Sequence, residues 1–291
     1  MAAPRGGSVR GLVTMVLLLW LALSLRGAAL AAPSPPAEEG QGASAEGVLL
    51  LRAVALPGEA PSRQGEQDQE RLLRALEDSV DRYATPLQLL GTAPYYSNAQ
   101  ALELVLSYDD VITEAAARYD VEKTMVQAVL FQEIRFLNLL DEVDYFVEAT
   151  HTYLQRREDY GTSARQGPLS TLPPLPPLVY RLDSSTGLGQ IFADTAIQAI
   201  NWQTGQALYD SGDWHDIRAV WSRLRRDDIY NIHMVALVLS HKRSILQTAG
   251  SEGEPSAADI MQAYNGTGEL SRRYREVVCG YYAAFQQYEN G

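Results

Sequence analysis

The residue that first suggests chemistry is Glu133, an acidic side chain placed among apolar ones. It lies three or four residues from Val129, Leu130, Phe136 and Leu137, and on a helix of 3.6 residues per turn these positions share one face. Burial without a cationic partner raises the pKa of a carboxyl. A glutamate placed in this way is expected to hold its proton near neutral pH and to act as a general acid. The alternative is a glutamate at the edge of the core that is satisfied by a hydroxyl or a backbone group.

Two later segments carry polar groups suited to binding a sugar. Residues 185–192 contain a turn made flexible by two glycines, followed by the amide of Gln190 and the start of a helix. Residues 262–268 end a helix with Asn-Gly and place the phenol of Tyr264 beside the amide of Asn265. Amide and phenol groups both donate and accept hydrogen bonds, as sugar hydroxyls do. The two segments are therefore candidate parts of one ligand site.

The order of these motifs resembles that of the lytic transglycosylase and goose-type lysozyme superfamily. A glutamate on a helix is followed by Gly187-Leu188-Gly189-Gln190-Ile191, then by Ala263-Tyr264-Asn265-Gly266, and last by Tyr274-Arg275-Glu276-Val277. The similarity covers roughly residues 121–282. It implies a mainly α, lysozyme-like single catalytic domain. The substrate-binding residues that it implies besides the catalytic Glu133 are Gln190, Tyr264, Asn265, Gly187, Leu188 and Gly189.

The resemblance implies an enzyme that cleaves peptidoglycan glycan strands between N-acetylmuramic acid and N-acetylglucosamine. Glu133 would protonate the glycosidic oxygen and then take a proton from the attacking hydroxyl, with help from the acetamido group of the substrate instead of a second carboxylate. If water attacked instead, a lysozyme-type hydrolase would benefit from a second acid, for which Asp183 is the candidate. A turn or helix-capping role is the competing interpretation of Asp183. The family chemistry uses no cofactor.

The chain departs from the family pattern in two places. Ile134 follows the glutamate where the family has serine, and residues 137–186 separate the glutamate from the glycine-containing turn where the family has a short gap. We interpret residues 141–182 as an insertion that forms part of the cleft wall, with a lid or a partner-binding element as the alternative. The departures keep two non-enzymatic hypotheses open. One is a peptidoglycan-binding module without turnover, and the other is an exported effector that binds a protein.

The amino terminus is typical of an export signal. Arg5 and Arg10 precede an apolar run at residues 12–25, which is too short to span a bilayer comfortably. Ala29-Leu30-Ala31 then offers a signal-peptidase site. We predict a signal peptide at residues 1–31, with an uncleaved membrane anchor as the alternative. The expected location is the cell envelope or the medium, without stable membrane insertion after the signal is removed.

Composition divides the rest of the chain and excludes one class of partner. Residues 32–69 are rich in Pro, Gly, Ala, Ser and Glu, so they are predicted to be a linker, and residues 70–291 are predicted to be one domain. Removing residues 1–31 takes away three arginines and changes the formal charge from −12 to −15. A protein with this negative charge is not expected to bind nucleic acid, which is also negatively charged.

Cysteine and histidine usage argues against disulfide and metal chemistry. Cys279 is the only cysteine, and because it lies in an apolar run a packed, inert thiol is expected. The four histidines do not have the spacing of a metal site. We therefore expect a domain that is stabilised by its hydrophobic core alone.

Apolar residues recur at helical spacing from Glu70 onward, which predicts a mainly α domain. Asp120 is predicted to cap the helix that carries Glu133. The proline-rich residues 167–178 are predicted to be extended and exposed. The other predicted helices cover residues 141–160, 192–203, 214–226, 229–247, 257–264 and 269–288.

Overall fold

The computed structural model describes residues 63–83, 94–137, 144–161, 181–250 and 253–290, which form ten helices and no β-strand. The mainly α class predicted from the sequence is thereby confirmed. In chain order the helices are α1 Arg63–Tyr83, α2 Asn98–Ser107, α3 Asp109–Tyr119, α4 Lys123–Phe136, α5 Asp144–Gly161, α6 Ala193–Thr204, α7 Trp214–Arg226, α8 Asp228–Thr248, α9 Ala257–Asn265 and α10 Glu269–Glu289.

Four of the described helices have an N-cap residue whose own side chain accepts a hydrogen bond from an amide group of the first turn. Ser97 and Gln100 form a capping box at the start of α2, in which each side chain accepts from the backbone N–H of the other residue. The carboxylates of Asp213 and Asp227 and the hydroxyl of Ser256 accept backbone N–H groups at the starts of α7, α8 and α9. These bonds satisfy donors that a helix cannot satisfy internally, so they fix where each helix begins.

The helix that carries Glu133 begins differently from the prediction. It starts at Lys123 after Glu122, and no side chain caps its first turn with a hydrogen bond. Asp120 instead ends α3 in the left-handed conformation, with a φ of 51°, and its carboxylate lies 2.9 Å from the guanidinium of Arg243. The predicted cap was therefore wrong. The short link between α3 and α4 needs a residue at positive φ, which aspartate tolerates better than most residues.

Two helices, α4 and α8, form the centre of the domain. Helix α4 contacts α2, α3, α8, α9 and α10, and helix α8 contacts α3, α4, α6, α7 and α9. On α8 every side chain from Asn231 to Ser240 except His233 is buried. Phe131 of α4 packs edge to face on Tyr281 of α10, with 4.9 Å between the ring centroids. A helix that is buried on all sides cannot shift without disturbing its neighbours, so α4 is a rigid support.

The first described helix, α1, begins within the segment predicted to be a linker. It starts at Arg63, and its Leu72 and Leu76 are buried in the core next to α10. The burial of these leucines explains why the helix forms in a stretch that is otherwise strongly polar. The predicted signal peptide at residues 1–31 and most of the predicted linker lie outside the described residues. Among the helices that are described, none is long and apolar enough to cross a membrane.

The predicted insertion contributes helix α5, which lies beside α7. Polar pairs join the two helices: His215 Nε2 lies 2.8 Å from a Glu158 oxygen, and Arg225 Nη1 lies 2.8 Å from a Glu148 oxygen. Residues 162–180, including the proline-rich segment, lie outside the described residues, so its predicted exposure stays a prediction. The described part of the insertion is thus attached to the domain by these polar pairs and by the buried side chains of Val147 and His151.

Candidate active site

Glu133 stands out on α4 because it is the one residue from Thr124 to Arg135 that is not buried. Ile134, which stands where the family has serine, is 1% exposed and belongs to the hydrophobic core, so it packs and does not contact a ligand. Arg135 is buried on the other side and donates a hydrogen bond to the hydroxyl of Tyr281. Helix α4 therefore presents a single half-buried carboxyl from an otherwise buried surface.

Two tyrosines place buried phenol groups beside Glu133. Burial, followed by the negative charge of Glu133, raises the pKa of Tyr264 well above its ordinary value. The pKa of Tyr274 is raised by the same two causes, then by Tyr264 and by its contact with Glu133. By geometry, the Tyr274 hydroxyl makes no hydrogen bond among the described residues. Both phenols therefore keep their protons at neutral pH.

The glycine-containing turn is closed by backbone hydrogen bonds and by its own glutamine. Thr186 and Ile191 exchange two backbone hydrogen bonds of 3.1 Å. Gln190 lies in the left-handed region with a φ of 48°, and its side-chain nitrogen donates to the Gly187 carbonyl at 2.9 Å. The hydroxyl of Ser185 donates to the Gln190 side-chain oxygen at 3.2 Å. Both ends of this amide are held, which fixes the direction of its remaining donor and acceptor positions.

Asn231 lies near the start of α8, is completely buried and binds the glycine-containing turn through its side chain. Its side-chain oxygen accepts from the Gly189 amide at 2.7 Å, and its side-chain nitrogen donates to the carbonyls of Thr186 and Leu224, each at 3.1 Å. Sequence analysis missed this residue. The sequence offered one signal, which is an amide side chain at the start of a helix whose following residues are almost all apolar. An amide that is buried with such a helix must find hydrogen-bond partners.

Tyr264 connects the turn to helix α4. Its hydroxyl donates to the Gly189 carbonyl at 2.6 Å, and the negative charge of Glu133 raises the pKa of the same phenol. Gly189 has no room for a side chain, because a Cβ atom there would overlap the side chain of Val235. The missing Cβ is what lets the turn approach α8 and α9 this closely. The structure therefore brings Glu133, the glycine-containing turn and Tyr264 together.

Asp183 occupies the start of α6. Its two carboxylate oxygens accept from the backbone N–H groups of Ala193 and Asp194, each at 2.9 Å. Burial raises the pKa of this carboxyl, and the backbone hydrogen bonds oppose that rise. A carboxylate that accepts hydrogen bonds from the first amide groups of a helix caps that helix. Asp183 therefore has a structural role at the start of α6. A role for Asp183 as a second catalytic carboxylate remains a prediction.

The other residues implied by the resemblance differ in what they can touch. Leu188 is 1% exposed and is part of the core, so it anchors the turn and offers nothing to a ligand. Asn265 is the last residue of α9 and its side chain is exposed. Gln190 is half-buried. The polar groups that can meet a ligand are thus the Glu133 carboxyl and the amides of Gln190 and Asn265.

The described residues contain no group of three or more His, Cys, Asp or Glu side chains that could hold a metal ion. Cys279 is half-buried, and burial raises the pKa of its thiol, which makes it a poor nucleophile.

Comparison with protein-family models, with curated proteins and with solved structures finds no match to this chain. The superfamily resemblance rests on the motifs and on their order along the chain.

Proposed function

We propose that the protein is an exported lytic transglycosylase with a lysozyme-like domain, and that it cleaves peptidoglycan glycan strands with Glu133 as its proton-handling group. The observation that carries the proposal is the placement of Glu133. It is a half-buried carboxyl on an otherwise buried central helix, it lies beside the phenol of Tyr264, and that phenol binds the glycine-containing turn. Enzymes that need a proton donor near neutral pH place a carboxyl in such an apolar frame.

The proposed reaction requires one carboxyl and no water. The protonated Glu133 donates its proton to the glycosidic oxygen as the bond from that oxygen to C1 of N-acetylmuramic acid breaks, while the acetamido oxygen of the same sugar bonds to C1. The Glu133 carboxylate then removes the proton from the 6-hydroxyl of that sugar. The 6-oxygen displaces the acetamido oxygen from C1, which forms an anhydro ring and returns Glu133 to its protonated state.

The remaining polar groups suit the binding of the acetamido sugar. Gln190 and Asn265 offer amide donors and acceptors, and the side chain of Gln190 is already held by Ser185 and Gly187, so it loses little freedom on binding. The buried phenols of Tyr264 and Tyr274 lie close enough to Glu133 for its charge to raise their pKa values, so buried groups flank the carboxyl. Exclusion of water favours an intramolecular attack over hydrolysis.

The competing muramidase mechanism would use Asp183 to activate water. Both oxygens of Asp183 already accept backbone amide groups at the start of α6, which favours the mechanism with a single glutamate. Asp183→Asn is therefore expected to lower stability by about 1 kcal/mol through the weaker cap. The variant should retain most of its activity per folded molecule. Loss of all activity in a folded Asp183→Asn variant would favour the hydrolase.

The proposal is tested by digesting purified peptidoglycan with the protein and identifying the products by mass spectrometry. A transglycosylase leaves anhydro-muramic ends, and each such end is lighter by one water molecule than the reducing end left by a hydrolase. Anhydro ends are the expected result. Binding to peptidoglycan without any cleavage would indicate the non-catalytic module, and neither binding nor cleavage would favour an effector with a protein target.

A further inference from the structure

A cavity of about 400 Å³ lies between α5 and α7, and the proposed reaction does not use it. Its volume is within the range of pockets that hold small molecules. The residues around it are mainly polar. The lining side chains that matter below are Glu148, His151, Gln155, Arg218, Ser222 and Arg226.

Arg218 provides a positive charge in this cavity that no carboxylate of the described residues neutralises. Its Nη1 donates to the side-chain oxygen of Gln155 at 3.2 Å, and Arg218 has no carboxylate within ion-pair distance in the described parts of the chain. Gln155 is neutral, so the bond orients the guanidinium without cancelling its charge. Most of the five N–H donors of the guanidinium remain available for a ligand.

The other charged groups around the cavity have a partner of opposite charge or are neutral. Glu148 accepts from Arg225 at 2.8 Å and lies 3.7 Å from Arg226, so two cations share one carboxylate. His151 is buried, and its Nε2 lies 2.8 Å from the Leu182 carbonyl, which can only accept a hydrogen bond. Burial first, and then the positive charge of Arg218, lowers the pKa of His151. The ring is therefore neutral, and Arg218 determines the charge that the cavity can accept.

From this arrangement we propose that the cavity between α5 and α7 binds the carboxylate of a small, peptide-sized ligand through the guanidinium of Arg218. The planar guanidinium matches the two oxygens of a carboxylate. A carboxylate carries one negative charge, which one unpaired arginine balances. A phosphate group carries nearly two, and Arg226, the other arginine in the lining, already lies near Glu148.

The cavity is connected to the glycine-containing turn through the segment that precedes the turn. Trp221, which lines the cavity, donates from Nε1 to the hydroxyl of Ser184 at 3.2 Å, and His151 binds the backbone of Leu182. Carboxylates occur on the peptides attached to peptidoglycan and on free small metabolites. Assignment to the attached peptides rests on the proposed function, whereas carboxylate binding through Arg218 does not.

The inference is tested by calorimetric titration of the full chain with the dipeptide L-alanyl-γ-D-glutamate. The dipeptide in which both carboxyl groups are converted to amides serves as the ligand control. Arg218→Gln should weaken binding of the free dipeptide by at least about tenfold. Arg156→Gln, which removes one exposed positive charge from α5 outside the cavity lining, should leave it unchanged. The diamide should bind neither protein.

Absence of dipeptide binding to the unsubstituted chain, or equal binding by the Arg218→Gln variant, would overturn the inference. Should Arg218→Gln not fold, Arg218→Lys keeps the charge and loses the planar fork, and its binding should be intermediate. Glutarate distinguishes the two sources of carboxylate, since tighter binding of the dipeptide indicates a peptide and equal binding indicates a free metabolite. Dipeptide binding by a protein that cleaves no peptidoglycan would overturn only the proposed function.

Discussion

The two polar regions of the molecule are built in opposite ways. Around Glu133 the supporting groups are buried, and Asn231, which is completely buried, makes three hydrogen bonds to the glycine-containing turn and its surroundings. Between α5 and α7 one buried contact joins His151 to Trp221, and the other contacts are ion pairs and hydrogen bonds of exposed or half-exposed side chains, such as Arg225 with Glu148. Exposed pairs contribute little individually to stability, whereas buried hydrogen bonds are costly to break.

This difference suggests a division of tasks. A carboxyl that transfers a proton must be held in one geometry, which the buried frame around α4 and α8 provides. A region joined by exposed polar contacts can adjust to a ligand at small cost in free energy. Substitutions in the first region should therefore affect folding and activity together, and substitutions in the second should affect stability only slightly.

The largest loss of stability is expected for Asn231→Ala. The substitution leaves the buried Gly189 amide without its side-chain acceptor and removes one hydrogen bond from each of the Thr186 and Leu224 carbonyls, which should cost about 3 kcal/mol of unfolding free energy and disorder the turn. Urea denaturation and activity on peptidoglycan measure both effects. Asn201→Ala is the matched control, because Asn201 also makes three hydrogen bonds but is only half-buried and binds residues 208 and 209. Equal losses in the two variants would contradict the special role of the buried frame.

A smaller but still clear effect is expected for Gly189→Ala. The added methyl group would overlap the side chain of Val235 and crowd the Tyr264 hydroxyl, so the turn must move away from α8 at a cost of about 2 kcal/mol. Activity should fall more than the loss of folded protein explains, because the turn carries Gln190. Gly212→Ala tests the alternative that any alanine at a glycine of this domain is harmful, since a Cβ there would meet only the exposed side chain of Asp210, at 3.2 Å.

The stabilisation that His215 provides between α5 and α7 should decrease as the pH rises. Hydrogen bonds with Asp213 and then Glu158 raise the pKa of His215 above its ordinary value of 6.5. A histidine with a raised pKa in the folded protein contributes its full stabilisation below the ordinary value and loses it as pH rises through the raised value. The difference in Tm between the unsubstituted protein and His215→Gln should be present near about pH 5 and vanish near about pH 8.5. A difference that grows with pH would contradict the assignment.

The smallest effect is expected from shortening the proline-rich segment at residues 173–177. Proline removes backbone donors, so such a stretch is expected to contribute no hydrogen-bonded element to the core. Thermal unfolding followed by circular dichroism should show nearly the same Tm before and after the deletion. A large decrease in Tm would show that the segment packs against the domain.

Helix positions could be predicted from the sequence because they depend on local spacing of apolar residues. The predicted helices at residues 214–226 and 257–264 agree with α7 and α9 to within one residue. Features that depend on the path of the chain could not be predicted in this way. The role of Asp120 at the end of α3 is one example, since aspartate suits both the end of one helix and the start of the next.

The candidate site was predictable in part for the same physical reason. Glu133, Gln190 and Tyr264 lie in local motifs, and the structure brings the helix, the turn and α9 of those motifs together. Asn231 lies in no motif, and its importance depends on which carbonyls the fold places beside it. The cavity at Arg218 depends on the packing of α5 on α7, and no sequence pattern indicates that pairing.

The proposed role of Glu133 is tested most directly by comparing Glu133→Gln with the unsubstituted protein on purified peptidoglycan. The substitution keeps the shape of the side chain and removes the transferable proton. The variant should unfold at nearly the same denaturant concentration, still bind glycan strands, and release anhydro-muramic products at least about a thousandfold more slowly. Release of those products at an unchanged rate by a folded Glu133→Gln variant would contradict the proposed mechanism.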